Sequence, residues 1–174
     1  MNKTTRSATA WLSLGVALLA LDQASKLAAR GLLGHGRTVP LVPRLVDLTL
    51  VHNRGVALGV LADLPAHLRE PLLLVVPLLI TLAVLWAAFS GWRRAASLVR
   101  ASWVLILAGA LGNVVDRFAF GPVTDFMRFS ADGHVLFINN LADDYVCLGV
   151  ALLLLTLPRG RASSVTAASE RVAP

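Results

Sequence analysis

The sequence predicts an all-α membrane protein: four transmembrane helices with a small extracytoplasmic β-cradle. Three observations carry that expectation. Of 174 residues, 56% are hydrophobic and only 15% charged, whereas soluble domains average about 25% charged. The mean hydropathy is +0.71. Four apolar stretches recur along the chain, and the segment between the first two alternates polar and apolar residues as a strand does. This length fits one domain, taken as residues 1–161, followed by a small, polar, disordered tail over 162–174.

The first helix is expected at about 8–29, behind a short polar lead with Lys3 and Arg6. Residues 1–30 also have the outline of a cleavable signal peptide, but Asp22 and Lys26 follow the apolar run where a small, neutral cleavage region belongs. The outer β segment spans 30–70. There Val46, Leu48 and Leu50 alternate with Asp47 and Thr49, and Pro40 and Pro43 make the preceding stretch an edge strand or an extended lead-in. Gly55 and Gly59 suggest a turn and a second strand. Residues 71–89 run without a charge and are long enough to span a bilayer. Pro71 suits a helix start, and Pro77 is expected to kink the helix. A third helix, 98–118, carries Gly109 and Gly112, small residues that permit close packing. Gly121-Pro122 ends it, Val123 to Ile138 forms a second outer segment of mixed polarity, and 139–157 forms the fourth helix. Cys147, the one cysteine, lies in an apolar run and reads as a buried packing residue; no internal disulfide is possible.

Four helices put both termini on one side. Eight of the sixteen basic residues fall on the proposed inner side, so the raw count does not orient the chain. The inner segments hold Glu170 as their one acid, and this balance favours cytoplasmic termini. The formal net charge is +6, but the basic residues are scattered rather than striped among aromatics, which argues against nucleic acid as a partner.

Half of the ten acidic residues crowd between Gly112 and Asp144: Asp116, Asp125, Asp132, Asp143 and Asp144. Ionisable groups near a bilayer are costly and are read as functional by default. Most of the candidates could equally serve structure alone. Asp22 and Lys26 stand four apart and can simply pair. Asp116 and Arg117 can lock a helix end, and Asp143 and Asp144 can decorate a helix N-terminus. Asp132 reads as a solvated loop charge. Asp125 fits none of these, standing in Val-Thr-Asp-Phe after a Gly-Pro break. The third and fourth helices are antiparallel neighbours, so Asp125 and Asp143 can meet at their outer ends. Two facing carboxylates share a proton and supply a general base and a general acid. His35, His52, His67 and His134 lack metal-ligand spacing, and Ser25 has no His beside it. No metal or cofactor is expected.

At this point the chain resembles the lipoprotein signal peptidases (signal peptidase II), intramembrane aspartyl proteases with four helices. Four blocks carry the resemblance in order: Asp22-Gln23-x-Ser25-Lys26; Asn53-x-Gly55-x-Ala57; Gly112-Asn113-x-x-Asp116-Arg117 with Val123-x-Asp125-Phe126; and Asn140-x-Ala142-Asp143. The resemblance covers about residues 8 to 157. It implies a catalytic dyad of Asp125 and Asp143. Asn53, Asn113, Arg117 and Asn140 match residues that line the site and orient substrate. Asp22, Lys26, Gly55, Gly112, Asp116 and Ala142 match supporting positions. It further implies a diacylglyceryl-modified prolipoprotein as substrate, cut before the modified cysteine, with sensitivity to globomycin. The implied setting is the bacterial inner membrane, with the site near the outer face; membrane lipids are the expected surroundings and a monomer the expected state. Asn139 replaces a usual Phe, Asp144 a small residue, and Val56 and Leu58 differ in the second block. From the residues alone, the alternative is a small membrane transport or accessory protein whose carboxylate cluster is structural or relays protons. The proton-relay form predicts carboxylates spread along the membrane depth; the structural form has the polar blocks merely lock the four helices together.

Overall fold

The computed structural model describes residues 3–34, 36–54 and 65–156. Along the chain run α1 (Lys3–Leu33), β1 (Thr38–Val42), β2 (Val46–Asn53), α2 (Ala66–Gly91), α3 (Ser97–Phe120), β3 (Val123–Ala131), β4 (His134–Asn139) and α4 (Leu141–Thr156). Three described helical segments are long and apolar enough to cross a membrane: Ala8–Leu33, Pro71–Gly91 and Ser97–Phe120. The fourth helix, α4, is described over 16 residues.

The four strands form one antiparallel sheet in the order β1-β2-β3-β4. Pro40 stands in β1, an edge strand, where a missing N–H costs no central ladder bond. The second outer segment proves to be a hairpin of this same sheet rather than a separate mixed segment. Its turn is Asp132-Gly133, both with positive φ (50° and 81°), between paired Ala131 and His134. That geometry matches the right-handed twist of the strands it joins. Asp132 is therefore a turn residue as well as an exposed charge. The strand expected around Gly55 and Gly59 lies outside the described residues, as does the tail.

The sheet sits on the C-terminal end of α1. Ala29 and Leu33 are buried against Phe126 of β3, with Val39, Leu48, Leu50, Met127 and Leu141 around them. Among the helices, α3 and α4 pack closest. A Cβ on Gly109 would run into the carbonyl of Ala142, and one on Gly149 would press on Ile106 and the Ser102 carbonyl. The small-residue reading of Gly109 and Gly112 thus holds, and Gly149 joins them. Cys147 is exposed, not buried, because Ala142 and Gly149 form the stripe facing α3 and Cys147 turns away from it. Pro71 is inside α2 rather than at its start, since the helix begins at Ala66. Pro77 is also interior, and Thr81 donates its hydroxyl to the Pro77 carbonyl at 2.7 Å.

Candidate active site

The start of α4 organises the site. Asn140 precedes the helix and Asp143 lies in its first turn. The Asp143 backbone N–H donates to the Asn140 side-chain oxygen (3.2 Å), and the Asn140 backbone N–H donates to the Asp143 carboxylate (3.3 Å). This reciprocal pair is a capping box, which satisfies N–H groups that have no partner inside the helix. Asp22 serves the same helix end from α1, accepting the Ala142 N–H at 3.0 Å. Two of the residues singled out in the sequence therefore start the helix as well as line the site.

Asn140 also reaches β3. Its side-chain NH2 donates to Asp125 at 2.6 Å, and Asn53 at the end of β2 donates to the other Asp125 oxygen at 2.8 Å. Register places Asp125 opposite Val51 of β2, two residues before Asn53, so the sheet delivers both side chains to one place. Asp143 in turn accepts from Asn113 of α3 at 2.7 Å. The Asn140 side chain thus bridges the Asp125 carboxylate and the Asp143 backbone N–H, while Asn53 donates to the one carboxylate and Asn113 to the other. The Asp125 carboxyl is raised from its ordinary 3.8 to about 6. Burial is the largest cause, opposed by the hydrogen bond from Asn53; the Asp143 charge adds to the rise, and Asn140 and Lys26 oppose it.

Beneath the two carboxylates lies a buried charge network. Lys26 pairs with Asp22 at 2.9 Å, approaches Asp116 at 3.7 Å and donates to the Asn113 oxygen at 3.0 Å. Holding that oxygen turns the Asn113 NH2 toward Asp143. The Asp22–Lys26 pair forms as the spacing predicts, and it is buried, at 0% and 1% exposure. Asp116 does not lock to Arg117. Its partners are Lys26, Arg30 at 3.4 Å, and the Thr124 N–H at 2.8 Å. Arg117 donates to the Asn113 carbonyl and lines, with Asn53, Arg54, Leu73, Leu74, Gly121 and Pro122, a cavity of about 460 Å³. Gly112 is required by closeness, since a Cβ there would run into the Asp22 carboxylate and crowd Ala142. Gly55 lies outside the described residues. Among those residues, no group of three or more His, Cys, Asp or Glu is placed to hold a metal ion.

Comparison with known proteins decides the family. The description "Signal peptidase (SPase) II" matches residues 14–159. The chain belongs to the signal peptidase II family. A protein of Aquifex aeolicus named lipoprotein signal peptidase is 38% identical over 151 residues, covering 84% of this chain and 86% of that protein. One of the same name from Azoarcus is 35% identical over 161 residues, 92% and 89% of the two chains. Two solved structures, each described as a bacterial membrane enzyme studied by the in meso method, share the fold. Their TM-scores are 0.73 and 0.70 at 24% identity, covering 87% and 84% of this chain and 94% and 86% of theirs.

In this member of the signal peptidase II family, Asn139 and Asp144, the two positions singled out at the start of the fourth helix, answer each other. Asn139 donates to Asp144 at 2.6 Å, so the extra carboxylate is held by the end of β4. Two residues in the network were missed in the sequence: Arg30 and Thr124. Arg30 continues the spacing of Asp22 and Lys26 by another four residues, and that stripe was the available signal.

Proposed function

We propose that this chain is an intramembrane aspartic endopeptidase. It removes signal peptides from lipoprotein precursors by cutting before a diacylglyceryl-modified cysteine. The observation that carries the reading is the joining of Asp125 and Asp143 through Asn140, in a chain of the signal peptidase II family. One carboxylate takes a proton from water, whose oxygen attacks the carbonyl before the cysteine. The other gives a proton to the departing amine. A carboxyl raised to about 6 can hold or release a proton near neutrality, as that exchange requires. Asn53, Asn113 and Asn140 hold the carboxylates, and Arg117 with Asn53 lines the adjoining cavity where substrate backbone would enter. Globomycin is expected to bind at the same pair.

The proposed setting is one membrane-embedded unit in the bacterial inner membrane, with four spans, α4 being the last. Both termini are cytoplasmic and the site is near the outer face. The protein acts as a monomer among lipids. Clustering supports an enzyme over a proton-relaying transporter: the buried Asp22, Asp116 and Asp125 belong to one hydrogen-bonded network with Asp143 instead of lining a path. The deciding test is cleavage of a diacylglyceryl-modified prolipoprotein in membranes carrying wild type, Asp125→Asn or Asp143→Asn. Cleavage by wild type alone is expected. Normal processing by either variant would sink the dyad.

A further inference from the structure

Three of the buried charges in the network do not balance. Asp22 and Asp116 are both at 0% exposure, with one buried lysine, Lys26, between them. An uncompensated buried carboxylate is strongly unfavourable. The second cation is Arg30, 18% exposed, with its guanidinium 3.4 Å from Asp116. Asp22, Lys26 and Arg30 follow at four-residue intervals along one face of α1, and Asp116 meets them from α3.

Arg30 does more than neutralise. Its Nε donates to the Thr124 hydroxyl at 2.8 Å, and a second guanidinium nitrogen contacts the same oxygen. The plane rests over the Phe120 ring, 3.5 Å from its centre, which fixes its direction. Thr124 is wholly buried, and its backbone N–H is tied to Asp116. The residue just before Asp125 is therefore held at both its side chain and its backbone.

We infer that Arg30, acting through Thr124 and Asp116, is a positioning residue for the reaction, setting where β3 begins and so where Asp125 stands. This inference rests on the peptidase reading. Two routes lead from Arg30 to the reacting groups. One passes through Thr124 to Asp125, whose bonds from Asn53 and Asn140 depend on where β3 starts. In the other, the Arg30 guanidinium 3.4 Å from Asp116 supplies the second positive charge, so that Lys26, paired with Asp22, also holds Asn113, which donates to Asp143. Neither route touches the substrate, so loss of Arg30 should lower turnover without weakening binding.

The test compares wild type with Arg30→Gln, Thr124→Val and Thr124→Ser in detergent. Cleavage of a diacylglyceryl-modified prolipoprotein gives kcat and KM separately, and thermal unfolding is followed on the same samples. Arg30→Gln and Thr124→Val should each lower kcat about tenfold or more with KM within about twofold, because small misplacements of reacting groups are costly. Thr124→Ser keeps the hydroxyl and should restore kcat. Should Arg30→Gln fail to fold, Thr124→Val, which removes no charge, decides alone. A rise in KM at constant kcat overturns the inference, as does a lowered unfolding midpoint with unchanged kcat per folded enzyme. Failure of Thr124→Ser to recover turnover also overturns it. A folded wild type that leaves the precursor uncut overturns the peptidase reading, and this inference with it.

Discussion

Asn140 donates to Asp125 at 2.6 Å with the same side chain whose oxygen caps the Asp143 N–H. One amide thereby sets the relative placement of the two carboxylates. Asn140→Ala should lose both roles. We expect about a hundredfold loss in kcat, by analogy with the cost of misplacing reacting groups. Loss of the helix cap adds about 1 kcal/mol of destabilisation. Kinetics and thermal unfolding on one preparation separate the two. A variant with normal turnover would mean that the carboxylates are positioned without Asn140.

Asp125→Asn and Asp143→Asn each remove a proton donor or acceptor. Each should cut the cleavage rate by a factor of about 10² to 10⁴ while leaving the fold intact, checked by unfolding midpoint and by precursor processing.

The raised Asp125 carboxyl has a consequence for stability versus pH. An acid whose carboxyl is raised in the folded state binds its proton more tightly there than in the unfolded chain. Its contribution is therefore most favourable at low pH and is lost as pH rises from 3.8 through about 6. Asp125→Asn lacks this charge. Relative to wild type it should gain stability as pH rises from about 4 to about 8, by up to about 3 kcal/mol, with no gain from this source at the acid end. Chemical unfolding across that range measures it; a pH-independent difference would argue against the raised value.

Asp144→Ser should retain cleavage within about threefold, because Asp144 is held by Asn139 rather than sharing the amides of the dyad. A large loss in kcat would give Asp144 a part in the reaction.

Gly112→Ala places a Cβ against the Asp22 carboxylate and Ala142. Overpacking at such a contact costs about 1–3 kcal/mol, so the unfolding midpoint should fall. An unchanged midpoint would show that Asp22 moves aside freely.

Much of this arrangement was legible in the sequence, for identifiable reasons. An uncharged run of bilayer length exposed α2, and a shorter one, 101–115, exposed the core of α3. The alternation around Leu48 exposed β2. The β3–β4 hairpin was missed because its strands mix polarity, although Asp132-Gly133 is a strong short-range hairpin signal. Asp125 and Asp143 could be named because carboxylates in greasy surroundings are conspicuous, whereas the asparagines were named only through the family resemblance. Their bonding could not be read. That Asp116 turns to α1 instead of to Arg117 depends on how α1 packs against α3, as does the second cation at Arg30. The 3.6-residue period exposes a face; it does not say which neighbour that face meets.

The capping of α4 by Asn140, Asp143 and Asp22 bears on when the enzyme comes alive. The carboxylates and amides of the site come from α1, β2, α3, β3 and the start of α4. Chains emerge from the ribosome N-terminus first, so the last of these parts is made after the rest. The hydrogen bonds that start α4 are therefore the same ones that bring the proposed pair together. On the proposed reading, a chain lacking the start of α4 would lack Asp143 and the Asn140 amide that meets Asp125, and so half of the reacting pair.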